Sequence, residues 1–170
     1  MTPTHSTLKT QNSELPPTPG AYTLLLRLDT PTTIRAGRLG AITLAAGHYV
    51  YTGSARGPGG LRARVGRHLR DDKKRHWHID ALTAVAPIVE VWHLETTARL
   101  ECAWAAALRE LPGVTVPARG FGASDCACDS HLLRVPDPAA AKTKLATEGT
   151  ESHICVSLCP RSMVAERALG

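Results

Sequence analysis

Gly20-Ala21-Tyr22-Thr23-Leu24-Leu25-Leu26-Arg27-Leu28-Asp29 is the stretch that decides the fold. Side chains of an extended chain alternate between two faces. Tyr22, Leu24, Leu26 and Leu28 therefore share one face, and Thr23, Leu25 and Arg27 the other. A second strand is predicted over residues 47–54, where Tyr49 and Tyr51 share a face. The connection between them holds Pro31, Gly37 and Gly40, with a short extra strand expected at 40–45. The two main strands are expected to pair antiparallel across residues 30–46.

Working outward, Gly57-Pro58-Gly59-Gly60 breaks the pattern. Leu61, Val65 and Leu69 then recur every four residues and predict a helix over 61–70. A second helix is expected from Arg75 to Val85, stopping before Pro87. Residues 88–95 read as a third strand. Ala98 to Leu111 is the clearest helix, with Leu100, Trp104, Leu108 and Leu111 facing inward and Pro112-Gly113 ending it. A glycine-rich loop with Cys126 and Cys128 follows at 120–130, then a short strand from His131 to Val135 and a helix at 137–148. No internal repeat is visible. The expected fold class is an α/β (α+β) sandwich, a small and mainly antiparallel central sheet of about three strands flanked by helices. Residues 1–18, rich in Thr, Ser and Pro, read as a disordered leader. Residues 19–135 form the expected domain and 136–170 a C-terminal extension.

At 43% hydrophobic, 170 residues can bury one core, and with aromatics at 4% Leu, Val and Ala must do most of the packing. No apolar run approaches the length that spans a bilayer. The N-terminus lacks a basic segment followed by an apolar stretch, so no secretory signal is read there. Five cysteines, without the spacing of a disulfide framework, fit the expected cytoplasmic location. The formal net charge is +5. Eight of the twenty Lys and Arg residues lie between Arg56 and Arg75, against only Asp71 and Asp72. Such a patch suits a phosphate backbone; a solvated helix face is the alternative.

Three features then coincide: Gly20-Ala21-Tyr22 opens the first strand, Tyr51-Thr52-Gly53 closes the second, and Leu61-Arg62-Ala63-Arg64-Val65-Gly66-Arg67-His68-Leu69 follows. Together they resemble the GIY-YIG nuclease family. The resemblance is closest to a stand-alone branch described as Uri-like endonucleases and long catalogued as a domain of unknown function. Residues 47–55, His76-Trp77-His78-Ile79-Asp80 and residues 120–128 carry that similarity, which covers residues 19 to 135. It implies a metal-dependent endonuclease that hydrolyses DNA, in repair or processing. Glu101 stands where the family carries its metal-binding carboxylate. One divalent ion, Mg²⁺ or Mn²⁺, is implied as cofactor, and DNA as partner of a monomer.

Helix geometry adds to this. Arg64 and His68 lie one turn apart and flank the Leu61/Val65/Leu69 stripe. Glu101 flanks the stripe of its own helix, although complementing the helix dipole is an alternative role for it. Arg64 would hold a phosphate oxygen. Tyr22 is the first candidate for the base, Tyr51 would position the water or share that role, and His68 competes as a base whose ordinary pKa suits neutral pH. For each tyrosine, plain strand packing is the alternative. Arg56, Arg62, Arg67, Arg70, Lys73, Lys74, His76 and His78 are expected to meet nucleic acid. Asp80 would orient one of the two histidines, and the Gly57–Gly60 loop would approach the DNA backbone.

The chain departs from the family pattern at Ala21 and Thr52, in its long connection, and in lacking the late Asn that supports the site. Its one Asn is Asn12. Ser124, Asp125 and His131 are candidates to replace it. Cys126, Cys128 and His131, with His153, Cys155 and Cys159 in the tail, also allow a Zn²⁺ site, although the spacing is not a common zinc signature. Two other functions therefore stay open: a non-catalytic nucleic-acid-binding module, and a small zinc-binding protein using the Cys126/Cys128/His131 loop.

Overall fold

β1 (Gly20–Leu28) lies at the centre of the sheet because every one of its residues except Arg27 is buried. It pairs antiparallel with β4 (Gly47–Ala55) on one side and β5 (Ile88–Glu95) on the other. The computed structural model describes residues 15–148 and the backbone of 155–157. Residues 1–14 of the expected leader, and 149–154 and 158–170 of the expected extension, lie outside the described residues. Among the described residues, β6 (Leu132–Val135) and β7 (Cys155–Ser157) complete the sheet in the order β6-β4-β1-β5-β7. The sheet is thus wider than the three or so strands expected: β6 falls on the short strand expected at 131–135, whereas β7, three residues long, is too short for alternation to reveal. β2 (Thr32–Arg35) and β3 (Ala41–Leu44) form a separate hairpin within the long connection.

The alternation seen in the sequence divides the core. Tyr22, Leu24, Leu26, Tyr49 and Tyr51 pack against Leu61, Val65 and Leu69 of α1 (Gly60–Leu69), Ile79 and Leu82 of α2 (His78–Thr83), and Ile34 and Ile42 of the hairpin. Ala21, Leu25, Val50 and Trp92 pack on the opposite face against Trp104 and Leu108 of α3 (Glu101–Arg109) and Ala141 and Leu145 of α4 (Pro138–Glu148). Helices therefore cover both faces of an antiparallel sheet, an α+β sandwich. Burying each of these Leu or Val side chains contributes about 1.5–3 kcal/mol.

Order begins earlier than Pro19. Leu15 is buried, and the carbonyls of Pro16 and Thr18 accept the backbone N–H groups of Arg62 and Leu61 at 3.0 and 2.9 Å. The reason is α1's missing cap: Gly59 at its N-cap has no side chain to satisfy the first-turn N–H groups, so the preceding segment supplies carbonyls. A Cβ at residue 60 would stand 2.1 Å from the Thr18 oxygen, so glycine there permits this chain crossing. α2 starts three residues later than expected. There the Asp80 carboxylate accepts the N–H groups of His76 and Trp77, each at 2.8 Å. Among the described residues no helix is long and apolar enough to cross a membrane.

Candidate functional site

The β1–β4 register sets Tyr22 opposite Gly53. A Cβ at residue 53 would lie 2.5 Å from the Tyr22 Cζ and hydroxyl, so the tyrosine ring crosses β4 only because this position is glycine. The hydroxyl thereby reaches α1. It lies 2.8 Å from His68 Nε2, and the Arg64 Nε–H donates to it at 3.5 Å. Arg64 is fixed further by the Trp77 ring, 4.1 Å from its guanidinium carbon. The same-face placement of Arg64 and His68 thus brings both onto one tyrosine.

Burial alters what these groups do. Tyr22 is 1% exposed, and burial raises its pKa although Arg64 opposes the rise. Burial also raises Tyr51. Burial first, then the Arg64 charge, lowers His68 to about 3. His68 is therefore neutral at physiological pH but far too weak a base to fill the role its ordinary pKa suggested. Its Nδ1 is buried without a hydrogen-bond partner. In the protein alone, Tyr22 and His68 form a buried support behind Arg64.

The pocket itself opens beside them. Tyr51, Ser54, Arg56, Arg64, Arg99, Glu101, Asp125 and His131 line a cavity of about 270 Å³. Glu101, the first residue of α3, is 4% exposed. Its carboxylate accepts from the Ser54 hydroxyl and, at 3.1 Å, from Arg99. Burial works against its charge, yet the Ser54 and Arg99 hydrogen bonds hold its pKa below the usual range. Arg99 also lies 3.6 Å from Asp125, so one guanidinium bridges two carboxylates. The Arg99 side chain is itself 55% exposed.

The basic residues divide. Arg67 was expected to face solvent or DNA, but it makes two 2.9 Å hydrogen bonds to the buried Asp80 and stacks on Trp77. Asp80 accordingly orients Arg67 and the start of α2, where a histidine ring was expected. Lys73 donates to the carbonyls of His68 and Arg70, closing the C-terminal end of α1. Arg62 donates to the Leu15 carbonyl at 2.7 Å and Arg56 to that of Thr97 at 2.7 Å. His78 Nδ1 accepts the Gly122 N–H at 3.1 Å and holds the glycine-rich loop. Arg70, Lys74 and His76 remain exposed. His76 and Ser124 line an adjoining cavity of about 240 Å³ that shares Tyr51, Arg64 and Asp125 with the first.

A second constellation lies next to Glu101. The ligand atoms of Cys102, Cys126, Cys128 and His131 all lie within 4.8 Å of one another, a group that could hold a metal ion. The three cysteines carry no disulfide. Burial and the neighbouring thiols push Cys102 up to about 12, and burial lowers His131.

Residues 21–153 match the profile of a family described as a domain of unknown function, DUF123. The chain belongs to the DUF123 family. No curated protein and no solved structure matches it.

In this DUF123 chain the sequence reading found three of the four cluster residues and missed Cys102, which stands 24 positions before Cys126 inside a helix. The only available signal was its place beside Glu101. His153 and Cys159, the tail alternatives, lie outside the described residues, as does the side chain of Cys155. Arg99 was also missed, because a lone exposed arginine before a helix carries no pattern.

Proposed function

We propose that this DUF123 protein is an endonuclease of the GIY-YIG kind that hydrolyses DNA with the help of one divalent ion. The observation that carries the reading is the convergence of Tyr51, Arg64 and Glu101 on one pocket with an arginine-rich wall. Arg64 would bind a non-bridging phosphate oxygen and offset charge that develops on it. The Trp77 stack and the Tyr22 hydroxyl hold its guanidinium in place, so little ordering is left for the moment of reaction. Tyr51 would orient the attacking water through its hydroxyl. Arg56 and Arg99, on the same wall, would guide the strand, as phosphate contacts do.

Glu101 and Asp125 present hard oxygen ligands, which suit Mg²⁺ or Mn²⁺. The Arg99 bridge between them supports this, since a cation already fills the gap. A divalent ion bound there would polarise the scissile phosphate and stabilise the leaving oxygen. Asp125 is then the residue that fills the role of the missing Asn.

The test is cleavage of a labelled panel of single-stranded, duplex, flap and nicked DNA, with RNA alongside, in Mg²⁺ or Mn²⁺. Wild type is compared with Glu101→Ala and Arg64→Ala. Metal-dependent cutting that both substitutions abolish supports the nuclease and reveals its substrate. Absence of cutting by a folded wild type, with equal DNA binding by all three proteins, refutes catalysis and leaves a binding module.

A further inference from the structure

The four ligand atoms beside the pocket have the dimensions of a particular metal site. With Zn–S near 2.3 Å and Zn–N near 2.0–2.1 Å, a tetrahedral zinc centre has S···N edges of about 3.6 Å. Cys102 Sγ and Cys126 Sγ lie 3.6 and 3.5 Å from His131 Nε2. These thiols and imidazole are soft or borderline ligands, unlike the carboxylates of Glu101 and Asp125. Three elements supply them: Cys102 from α3, Cys126 and Cys128 from the glycine-rich loop, and His131 from the residue before β6. His131 is itself pinned, its N–H donating to Phe121 O at 2.8 Å and its carbonyl accepting from Thr52 of β4 at 3.1 Å. The scaffold therefore brings the four ligand atoms together.

We infer that Cys102, Cys126, Cys128 and His131 bind one Zn²⁺ as a closed, structural Cys₃His site that clamps the loop 120–131 to the start of α3. Four protein ligands leave no position for substrate. The ion enters as the thiols release their protons to solvent. Its effect on the pocket is positional. Cys102 follows Glu101, and Asp125 precedes Cys126, so the clamp fixes the spacing of the two carboxylates that Arg99 bridges. Zinc loading is independent of whether the chain cuts DNA.

The experiment measures metal content of the purified full chain by mass spectrometry after zinc reconstitution and desalting. About one zinc per chain is expected, falling at least fivefold in Cys126→Ser and Cys128→Ser and unchanged in Cys159→Ser. Removing zinc by chelation should lower the unfolding midpoint by about 5 °C, restored by zinc but not by Mg²⁺. Should the serine variants fail to fold, Co²⁺-substituted wild type decides: intense tetrahedral d–d bands with a thiolate-to-cobalt charge-transfer band support the site. Weak octahedral bands overturn it, as do zinc below about a tenth of an equivalent or a two-hydrogen mass loss locating a disulfide among these cysteines. Zinc retained by Cys128→Ser and lost in Cys159→Ser would also overturn it. A zinc-loaded chain that cuts nothing leaves this site intact and removes only the nuclease.

Discussion

The Tyr22 hydroxyl lies 2.8 Å from His68 Nε2, with the Arg64 Nε 3.5 Å from the same oxygen. One phenol thus ties the central strand to the face of α1 that carries the arginine. Tyr22→Phe removes it and leaves both nitrogens of the buried His68 unpaired. The expected loss is about 1–3 kcal/mol of stability in urea. If the phenol positions Arg64, DNA cleavage should fall by about tenfold to a hundredfold. Full activity in a folded Tyr22→Phe protein would remove the positioning role.

His68 makes stability pH-dependent. Its folded pKa is about 3 against an ordinary 6.5, chiefly through burial and the Arg64 charge, with Lys73 and Arg67 adding and Asp80 opposing. The unfolded chain therefore binds a proton that the folded chain refuses. Stability is unaffected by this group above pH 6.5 and falls as pH drops below it, levelling only near pH 3. The limiting slope is about 1.4 kcal/mol per pH unit. Urea midpoints from pH 7.5 to 4.5 should decline more steeply in wild type than in His68→Gln. Parallel curves would show that His68 is not held neutral.

Gly53→Ala tests the crossing of β4 by Tyr22. The new Cβ would stand 2.5 Å from the Tyr22 Cζ and hydroxyl, so the ring must move. Overpacking of this kind costs about 1–3 kcal/mol. Cleavage is expected to suffer as much as in Tyr22→Phe, and combining the two substitutions should add little further loss of activity. Independent, multiplying effects would place the defect elsewhere.

If Glu101 and Asp125 hold a divalent ion as proposed, Arg99→Gln should tighten it. The guanidinium that bridges Glu101 and Asp125 competes for the same oxygens. Removing it should lower the Mg²⁺ concentration for half-maximal cleavage several-fold, a tenfold change being about 1.4 kcal/mol. Weaker strand binding is expected at the same time, since a pocket-wall cation is lost. A higher metal requirement would mean that Arg99 supports the metal site and does not compete with it.

Asp80→Ala should destabilise the protein. It strips Arg67 of its partner and α2 of the acceptor at its first turn. Losing one member of a buried pair costs about 3 kcal/mol. Thermal unfolding measures it; a shift of under a degree would show the pair to be idle.

The sequence by itself determined the layers. Alternation in β1 and β4 assigned Tyr22, Tyr49 and Tyr51 to one face, and the four-residue spacing of Leu61, Val65 and Leu69 placed α1 against it. Those patterns are local, and burying one face of each element leaves little choice of partner. The same spacing put Arg64 and His68 on a common edge, and Glu101 at the rim of its helix. Only tertiary structure decided what these residues meet. Arg67 and Lys73 belong to a basic run in the sequence, but Arg67 is spent on Asp80 because α2 folds back over the end of α1, and Lys73 on the last carbonyls of α1 itself. Cys102 joins Cys126, Cys128 and His131 because α3 and the glycine-rich loop converge on one edge of β4. His68 loses its basicity because the core closes around it. Periodicity reports which face of an element is buried; contacts between elements distant in sequence, and the pKa values they set, arise only when those faces are packed together.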